Sequence, residues 1–281
     1  MHDRLGESIL WHPEENALYW IDFYGPTVHR QERDGPVESW KIDRGEAIGS
    51  LAFVDQGRLV LAVDHGLHLF DTKALTTRSF ADPKGGRMDL AYNDSKVDRA
   101  GRYWVGTYEL TESKPRGILY RIEADGTAHG ADQGFIICNG PAFSPDNRTL
   151  YFSDTVGRRI LSYEIDHDGA LSGRQTFFSF SEDDGMPDGL TVDSAGNVWC
   201  ALYGGGKVVC MDAKDTLKLS LPLPVAFVTS LCLGGPELKT LYVTTGWSSG
   251  TTEETKGNDI GGAVFMRSVD TPGLPEPIIT L

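Results

Sequence analysis

The sequence lacks long apolar runs and contains few cysteines. No stretch approaches the roughly 20 apolar residues of a membrane-spanning helix, and the first residues, MHDRLGESILWHPEEN, carry acids where a secretory signal needs a basic start and an apolar run. The four cysteines, at positions 138, 200, 210 and 232, include no CxxC pair and no histidine at metal-ligand spacing. We therefore predict a cytoplasmic protein with buried free thiols; a cross-strand pair between Cys200 and Cys210 is the alternative.

Basic residues are scarce as well. The chain has 26 lysines and arginines against 40 aspartates and glutamates, a formal net charge of -14. Nucleic acids and anionic membrane surfaces select basic patches, so neither is expected as a partner, whereas cations and neutral polar molecules are favoured as ligands. The seven histidines form no cluster, which gives no support to a His-based zinc site or to a Ser-His-Asp triad.

A repeat runs through the whole chain. An apolar strand, a polar turn with Asp, Asn or Gly, and a short aromatic-rich strand recur six times at spacings of 41 to 48 residues. Alternating stretches such as GILYRIEADG bring each repeat to about four strands, and no segment has a sustained helical period. The pattern predicts an all-β fold, a six-bladed β-propeller with four-stranded blades around a central tunnel, as a single domain over residues 1–281. A solenoid is the alternative.

Equivalent positions of successive blades face the same axis, so residues far apart in sequence can meet there. The six repeats align on one residue of the second strand, namely Tyr19, Val60, Trp104, Tyr151, Trp199 and Tyr242. The positions eleven to thirteen residues before these anchors are Glu7, Ile48 or Gly49, Asn93, Asn139, Asp188, and Thr229 or Ser230. Four of these six positions carry acids or amides, the oxygen ligands that a hard cation such as Ca²⁺ prefers. Each could instead serve only as a turn residue at the start of a strand.

The motifs around these positions resemble the regucalcin/gluconolactonase family. They are LGESILWHP, YNDSKVDRAGRYWVGT, NGPAFSPDNRTLYFSD and GMPDGLTVDSAGNVWCALYGGGKV, and the similarity continues through LGGPELKTLYVTT and GLPEP. The resemblance implies a six-bladed propeller that uses one divalent cation, most commonly Ca²⁺ or Zn²⁺ with Mn²⁺ or Mg²⁺ as alternatives, to hydrolyse sugar (aldono)lactones. It also implies that Glu7, Asn139 and Asp188 are metal ligands and that Asn93 contacts substrate or metal-bound water.

The expected mechanism follows from that placement. The cation would polarise the lactone carbonyl and stabilise the oxyanion, with Asp188 as the candidate general base. Ala91 occupies the position where many family members carry a substrate-binding arginine. Arg87 and Glu109 are therefore the remaining candidates for substrate binding, and their alternatives are a solvated surface arginine and a loop carboxylate facing water.

Two other functions remain open at this point. One is a calcium-binding propeller without turnover, because ligands alone do not prove chemistry. The other is a paraoxonase-like arylesterase or phosphotriesterase. The predicted partner is a small-molecule sugar lactone, and the protein is expected to be a monomer or a homodimer, the latter if an open sheet edge remains at the point where the ring closes.

Overall fold

The computed structural model describes residues 2–33, 35–248 and 260–281. The helices within the described residues are two short 3-10 turns, Asp55–Gly57 and Glu182–Asp184. No helix in this part of the chain is long and apolar enough to cross a membrane. The strands, in chain order, are β1 Gly6–His12, β2 Ala17–Asp22, β3 Thr27–Glu32, β4 Val37–Lys41, β5 Ile48–Val54, β6 Arg58–Val63, β7 Gly66–Asp71, β8 Thr76–Ala81, β9 Leu90–Val97, β10 Tyr103–Glu109, β11 Gly117–Ile122, β12 Ala128–Phe135, β13 Cys138–Phe143, β14 Thr149–Asp154, β15 Arg159–Ile165, β16 Leu171–Ser179, β17 Met186–Val192, β18 Val198–Tyr203, β19 Lys207–Met211, β20 Leu217–Pro222, β21 Val228–Gly234, β22 Thr240–Thr245 and β23 Phe265–Ser268.

The strands form six antiparallel sheets, each built from consecutive strands. The first strands of the sheets pack side by side in a closed cycle. Their order is β1, β5, β9, β13, β17 and β21, each strand contacts the next, and β21 contacts β1. This arrangement is the predicted six-bladed β-propeller. Five blades have four strands, and the sixth, β21 to β23, has three among the described residues.

Burial falls from the tunnel outward. All seven residues of the inner strand β5 are buried, whereas no residue of the outer strand β8 of the same blade is buried. The core consists of six clusters of buried apolar side chains, each shared by two neighbouring blades. Each sheet therefore buries both faces of its inner strands. An apolar layer fills the space between each pair of neighbouring blades, as it does between the packed sheets of other β proteins.

The tryptophans of the repeat belong to this core. Trp104 and Trp199 are buried, and their indole Nε1 atoms donate to Asp98 Oδ2 (3.1 Å) and Asp193 Oδ2 (3.0 Å). In each case the aspartate also accepts backbone N–H groups of the turn that precedes the tryptophan strand. The repeated Asp, Gly and Trp positions thus tie turn to strand, and the two tryptophans pack in the core.

The two chain termini lie at opposite ends of the ring. Near the start, Asp3 N donates to Gly262 O (2.9 Å) and Leu5 forms a bridge with Gly246, so the N-terminal residues join the first blade to the sixth. Residues 270–281 cross the other end of the tunnel, where Ile279 forms a parallel bridge with Val54. We call this end of the tunnel the closed end.

All four cysteines of the chain are buried and free.

Candidate metal and substrate site

A cavity of about 150 Å³ lies at the end of the tunnel opposite the closed end, and we call this end the mouth. Its lining comes from the first, third, fourth and fifth blades and from the loops beside their strands. The lining residues are Leu5, Glu7, Phe23, Tyr24, Asn93, Tyr108, Glu112, Ile137, Asn139, Thr155, Met186, Asp188 and Tyr203. The structure thus brings together Glu7, Asn93, Asn139 and Asp188, the four polar positions that the repeat placed at one level of the tunnel.

Each of these four side chains lies where an inner strand departs from regular pairing. The register shifts between Glu7 and Leu10 on β1, between Asn139 and Ala142 on β13, and around Asp188 on β17. The pairing of β9 with β10 shifts in the same way around Asn93. A bulge bends the strand and redirects a side chain, so the irregularity turns these groups toward the axis.

Gly140, which follows Asn139, is part of this geometry. Its φ is +41°, and a Cβ atom there would lie 2.6 Å from Leu190 N and 2.7 Å from Asp188 O. Glycine is therefore required because β13 and β17 approach each other closely at the level of the site.

Hydrogen bonds fix the two amide side chains. Asn93 Nδ2 donates to Cys138 O (2.9 Å) and to Asn139 Oδ1 (2.6 Å), and Asn139 Nδ2 donates to Thr155 Oγ1 (3.0 Å). Thr155 Oγ1 in turn donates to Pro187 O (2.9 Å), beside Asp188. Since the amide nitrogens are committed to protein acceptors, Asn93 Oδ1 and the second lone pair of Asn139 Oδ1 remain for a ligand.

The carboxylates of the cavity are held in an unfavourable environment. Burial raises the pKa of Glu7 well above its usual range, and the nearby carboxylates of Asp188 and Asp94 raise it further. Burial also raises the pKa of Asp188, with Asp94 as a second cause. Repulsion and desolvation of this kind are relieved when a cation binds between the carboxylates.

The donor set fits a hard divalent cation. Glu7, Asp188 and Asn139 present carboxylate and amide oxygens to one small space, the chemistry that Ca²⁺, Mg²⁺ or Mn²⁺ prefers and that Zn²⁺ also accepts. The described residues contain no group of three or more His, Cys, Asp or Glu arranged for a metal. The fit therefore depends on the amides as well as on the two carboxylates.

Asp94 is a third buried carboxylate that the repeat analysis did not single out. Its Oδ1 accepts Ser95 N (3.0 Å) and its Oδ2 accepts Gly140 N (3.0 Å), while burial raises its pKa. Regular strand alternation would place Asp94 on the face opposite Asn93, whereas the bulge keeps both side chains near the site. Its signal in the sequence is the Asn-Asp pair itself.

The two predicted substrate residues lie elsewhere. Arg87 Nη2 donates to Asp89 Oδ2 (2.8 Å) on the surface, and Glu109 is buried, with its Oε2 accepting Thr111 Oγ1 (2.7 Å) and Ser113 N (3.2 Å). Neither residue lines the cavity, whereas Glu112 does. Contact of Arg87 or Glu109 with substrate stays a prediction that these positions do not favour.

An aromatic wall surrounds the polar floor of the cavity. Tyr24, Phe23 and Tyr108 line one side, with Phe23 and Tyr24 ring centroids 4.9 Å apart. Tyr203 lines another side and packs on Phe227, with centroids 4.7 Å apart. Sequence reasoning missed this wall because its members come from turns and strand ends outside the aligned repeat positions.

Comparison with known proteins places this geometry in a family. Residues 5–246 match the model of the SMP-30/Gluconolactonase/LRE-like region. The chain is 38% identical to the pentonolactonase XacC of Haloferax volcanii, covering 97% of this chain and 94% of the relative. It is 33% identical to the 6-deoxy-6-sulfogluconolactonase of Pseudomonas putida, covering 98% of this chain and 94% of the relative.

Among solved structures, the regucalcin of Agrobacterium tumefaciens, described as a calcium-binding protein, superposes with a TM-score of 0.93 at 24% identity. The superposition covers 100% of this chain and 95% of that protein. At this identity the match supports the propeller fold alone. With the family model matching most of its length, the chain belongs to the SMP-30/gluconolactonase/LRE-like family.

Proposed function

We propose that this protein hydrolyses a sugar lactone to the sugar acid with the help of one divalent cation bound at the tunnel mouth. The observation that carries the proposal is the convergence of Glu7, Asn93, Asn139 and Asp188 from four blades on one cavity, with two of them carboxylates of raised pKa. Relatives that are 38% and 33% identical are named as lactonases, and this supports lactones as the substrate class.

The cation would be held by Glu7, Asn139 and Asp188. Three protein ligands leave coordination positions open for substrate and water, as catalytic sites require. A divalent cation bound there supplies an electrophile that polarises the lactone carbonyl. Ca²⁺ and Zn²⁺ are the first candidates, and Mn²⁺ and Mg²⁺ are the alternatives.

The side chains carry the proton transfer and the positioning. Asp188 accepts a proton from the attacking water as the water oxygen bonds to the carbonyl carbon. That proton passes to the ring oxygen when the ester C–O bond breaks, which leaves a carboxylic acid and a hydroxyl group on the product. The acid then releases its proton to the solvent, and this is the acid release that an indicator detects. Asn93, held by Cys138 O and Asn139 Oδ1, orients the substrate, and the aromatic wall limits the access of bulk water.

The test is a pH-indicator screen of aldonolactones against chelator-treated protein, with Ca²⁺, Zn²⁺, Mn²⁺ and Mg²⁺ added back singly. We expect acid release to stop after chelation and to return with at least one cation. Phenyl acetate and paraoxon serve as control substrates, and preferential hydrolysis of either would favour the arylesterase or phosphotriesterase function. Tight cation binding without hydrolysis of any substrate would contradict the proposal and leave a binding propeller.

A further inference from the structure

The charge of the cavity lining is of one sign. Its lining includes three carboxylates, Glu7, Asp188 and Glu112, and no lysine, arginine or histidine is found among the described residues that line it. A divalent cation held by Glu7 and Asp188 balances those two charges. The carboxylate of Glu112 is then the uncompensated charge at the mouth.

A tight turn after β10 positions Glu112. Its backbone N donates to Glu109 O (2.8 Å), and its φ is +49°, a conformation that non-glycine residues adopt only when the surroundings impose it. The buried carboxylate of Glu109 accepts Thr111 Oγ1 and Ser113 N on either side. Glu109 therefore acts as a positioning residue that orders the turn carrying Glu112.

The field of Glu112 reaches several sides of the mouth. Burial raises the pKa of Tyr24, Tyr108 and Tyr203, and the charge of Glu112 is a further cause for all three. These tyrosines line the cavity on the first, third and fifth blades. A negative group on a bound substrate would therefore be repelled by Glu112 at each of the positions beside these tyrosines.

One cation lies near the mouth without lining the cavity. The guanidinium carbon of Arg4 is 5.3 Å from the ring centroid of Tyr24 and 6.0 Å from that of Trp247. The described residues give Glu112 no ion-pair partner. Arg4 therefore lies outside the lining. Its charge lowers the pKa of Tyr24 and so opposes Glu112 on that side, while the charged groups in the lining itself are all acidic.

We infer that this site selects uncharged lactones and discriminates against lactones that carry a phosphate or a second carboxylate, and that Glu112 is the specificity-determining residue. The inference rests on the proposed lactonase function. It follows from the position of Glu112 in the lining, the absence of a basic residue there, and the engagement of Arg4 outside it.

The test compares two substrates that differ mainly in charge, glucono-1,5-lactone and 6-phosphoglucono-1,5-lactone, on the cation-loaded enzyme. The readout is the ratio of kcat/KM for the charged to the neutral lactone. We expect Glu112→Gln to raise this ratio about tenfold, as the loss of one charge at this range allows. Raising the salt from about 20 mM to about 500 mM should raise the ratio for the unmodified enzyme, because salt screens exposed charges.

Arg4→Gln is the matched control, since it removes the cation near the same mouth and should leave the ratio unchanged or lower it. Turnover of neither lactone by the unmodified enzyme would refute the proposed function. Turnover of both at similar efficiency, without a response to salt, would refute only the charge selection. A ratio that is insensitive to Glu112→Gln but collapses in Arg4→Gln would overturn the inference and make Arg4 an anion-binding residue. The salt response decides the matter if Glu112→Gln proves inactive toward both lactones.

Discussion

The central tunnel has two ends, and the charges near them are arranged differently. At the closed end, Lys96 Nζ lies 3.2 Å from Glu276 Oε1, with both side chains only 11% exposed. At the mouth, burial raises the pKa of Glu7 and Asp188, and nearby carboxylates raise it further, Asp188 and Asp94 for Glu7 and Asp94 for Asp188. One end thus pairs its charges within the chain, and the other leaves like charges together.

The two ends of the tunnel therefore serve different purposes, the closed end stability and the mouth function. A buried charge that loses its partner destabilises the fold, so the ion pair at the closed end serves the stability of the protein. A cavity with repelling carboxylates costs stability, and that cost is recovered when a cation binds.

The largest effect is expected at the mouth. Asp188→Ala should lower kcat/KM for a lactone by about 10³-fold or more, because it removes the proposed general base, which is also a proposed cation ligand. Asp184→Asn, on the turn before the same blade, is the matched control and should retain turnover. Steady-state kinetics with circular dichroism of both variants measures this, and near-normal turnover by folded Asp188→Ala would contradict the role of Asp188.

The closed end should respond in stability instead. Glu276→Gln leaves Lys96 nearly buried without its carboxylate, and we expect a loss of about 3 kcal/mol in the free energy of unfolding. The double variant Lys96→Met, Glu276→Leu should recover much of that loss. Urea unfolding measures both, and equal stability of Glu276→Gln and the parent protein would show that the pair is not holding the C-terminal segment.

Cation binding should stabilise the protein through the mouth alone. At a free cation concentration of about 100 times Kd, the free energy of unfolding should rise by about 2.7 kcal/mol. The same gain is expected in Glu276→Gln but not in Asp188→Asn. Thermal unfolding with and without chelator measures the gain, and an undiminished gain in Asp188→Asn would move the cation site away from the mouth.

The smallest effect concerns the cation-free protein. Because the folded pKa values of Glu7 and Asp188 are raised, their contribution to stability is complete below the unfolded pKa of about 4 and is lost as the pH rises through the folded values. Asp188→Asn should therefore be more stable than the parent at pH 7 in chelator, by about 1 kcal/mol. Unfolding at pH 5, 6 and 7 measures the slope, which should be smaller in the variant; an equal slope would argue against the repulsion.

Some features of the site could be predicted because they repeat. The six copies of the strand pattern predicted the ring, and equal repeat coordinates predicted that Glu7, Asn93, Asn139 and Asp188 would meet. Other features depend on local departures from the repeat. Asp94 stays near the site through a bulge, and Glu112 rather than Glu109 lines the cavity because of one turn with a positive φ.

The surface arginine shows a second kind of limit. Arg87 lies close in sequence to the site, and its chemistry suits a substrate oxygen, but it pairs with Asp89 two residues away. A short ion pair of this kind is decided by loop geometry, which spacing along the chain does not report. The same holds for Arg4, whose stacking on Tyr24 and Trp247 depends on three separate segments.

The number of blades and the four polar residues at the tunnel axis can be read from the amino-acid sequence alone, because each follows from a period that the chain repeats six times. Only the tertiary structure decided which carboxylates lie together and which are paired. It placed Asp94 and Glu112 near the mouth and brought Glu276 to Lys96 from 180 positions along the chain. The interaction of two charges depends on their distance in space and on their burial, and the closed ring brings together charges that lie far apart in the sequence.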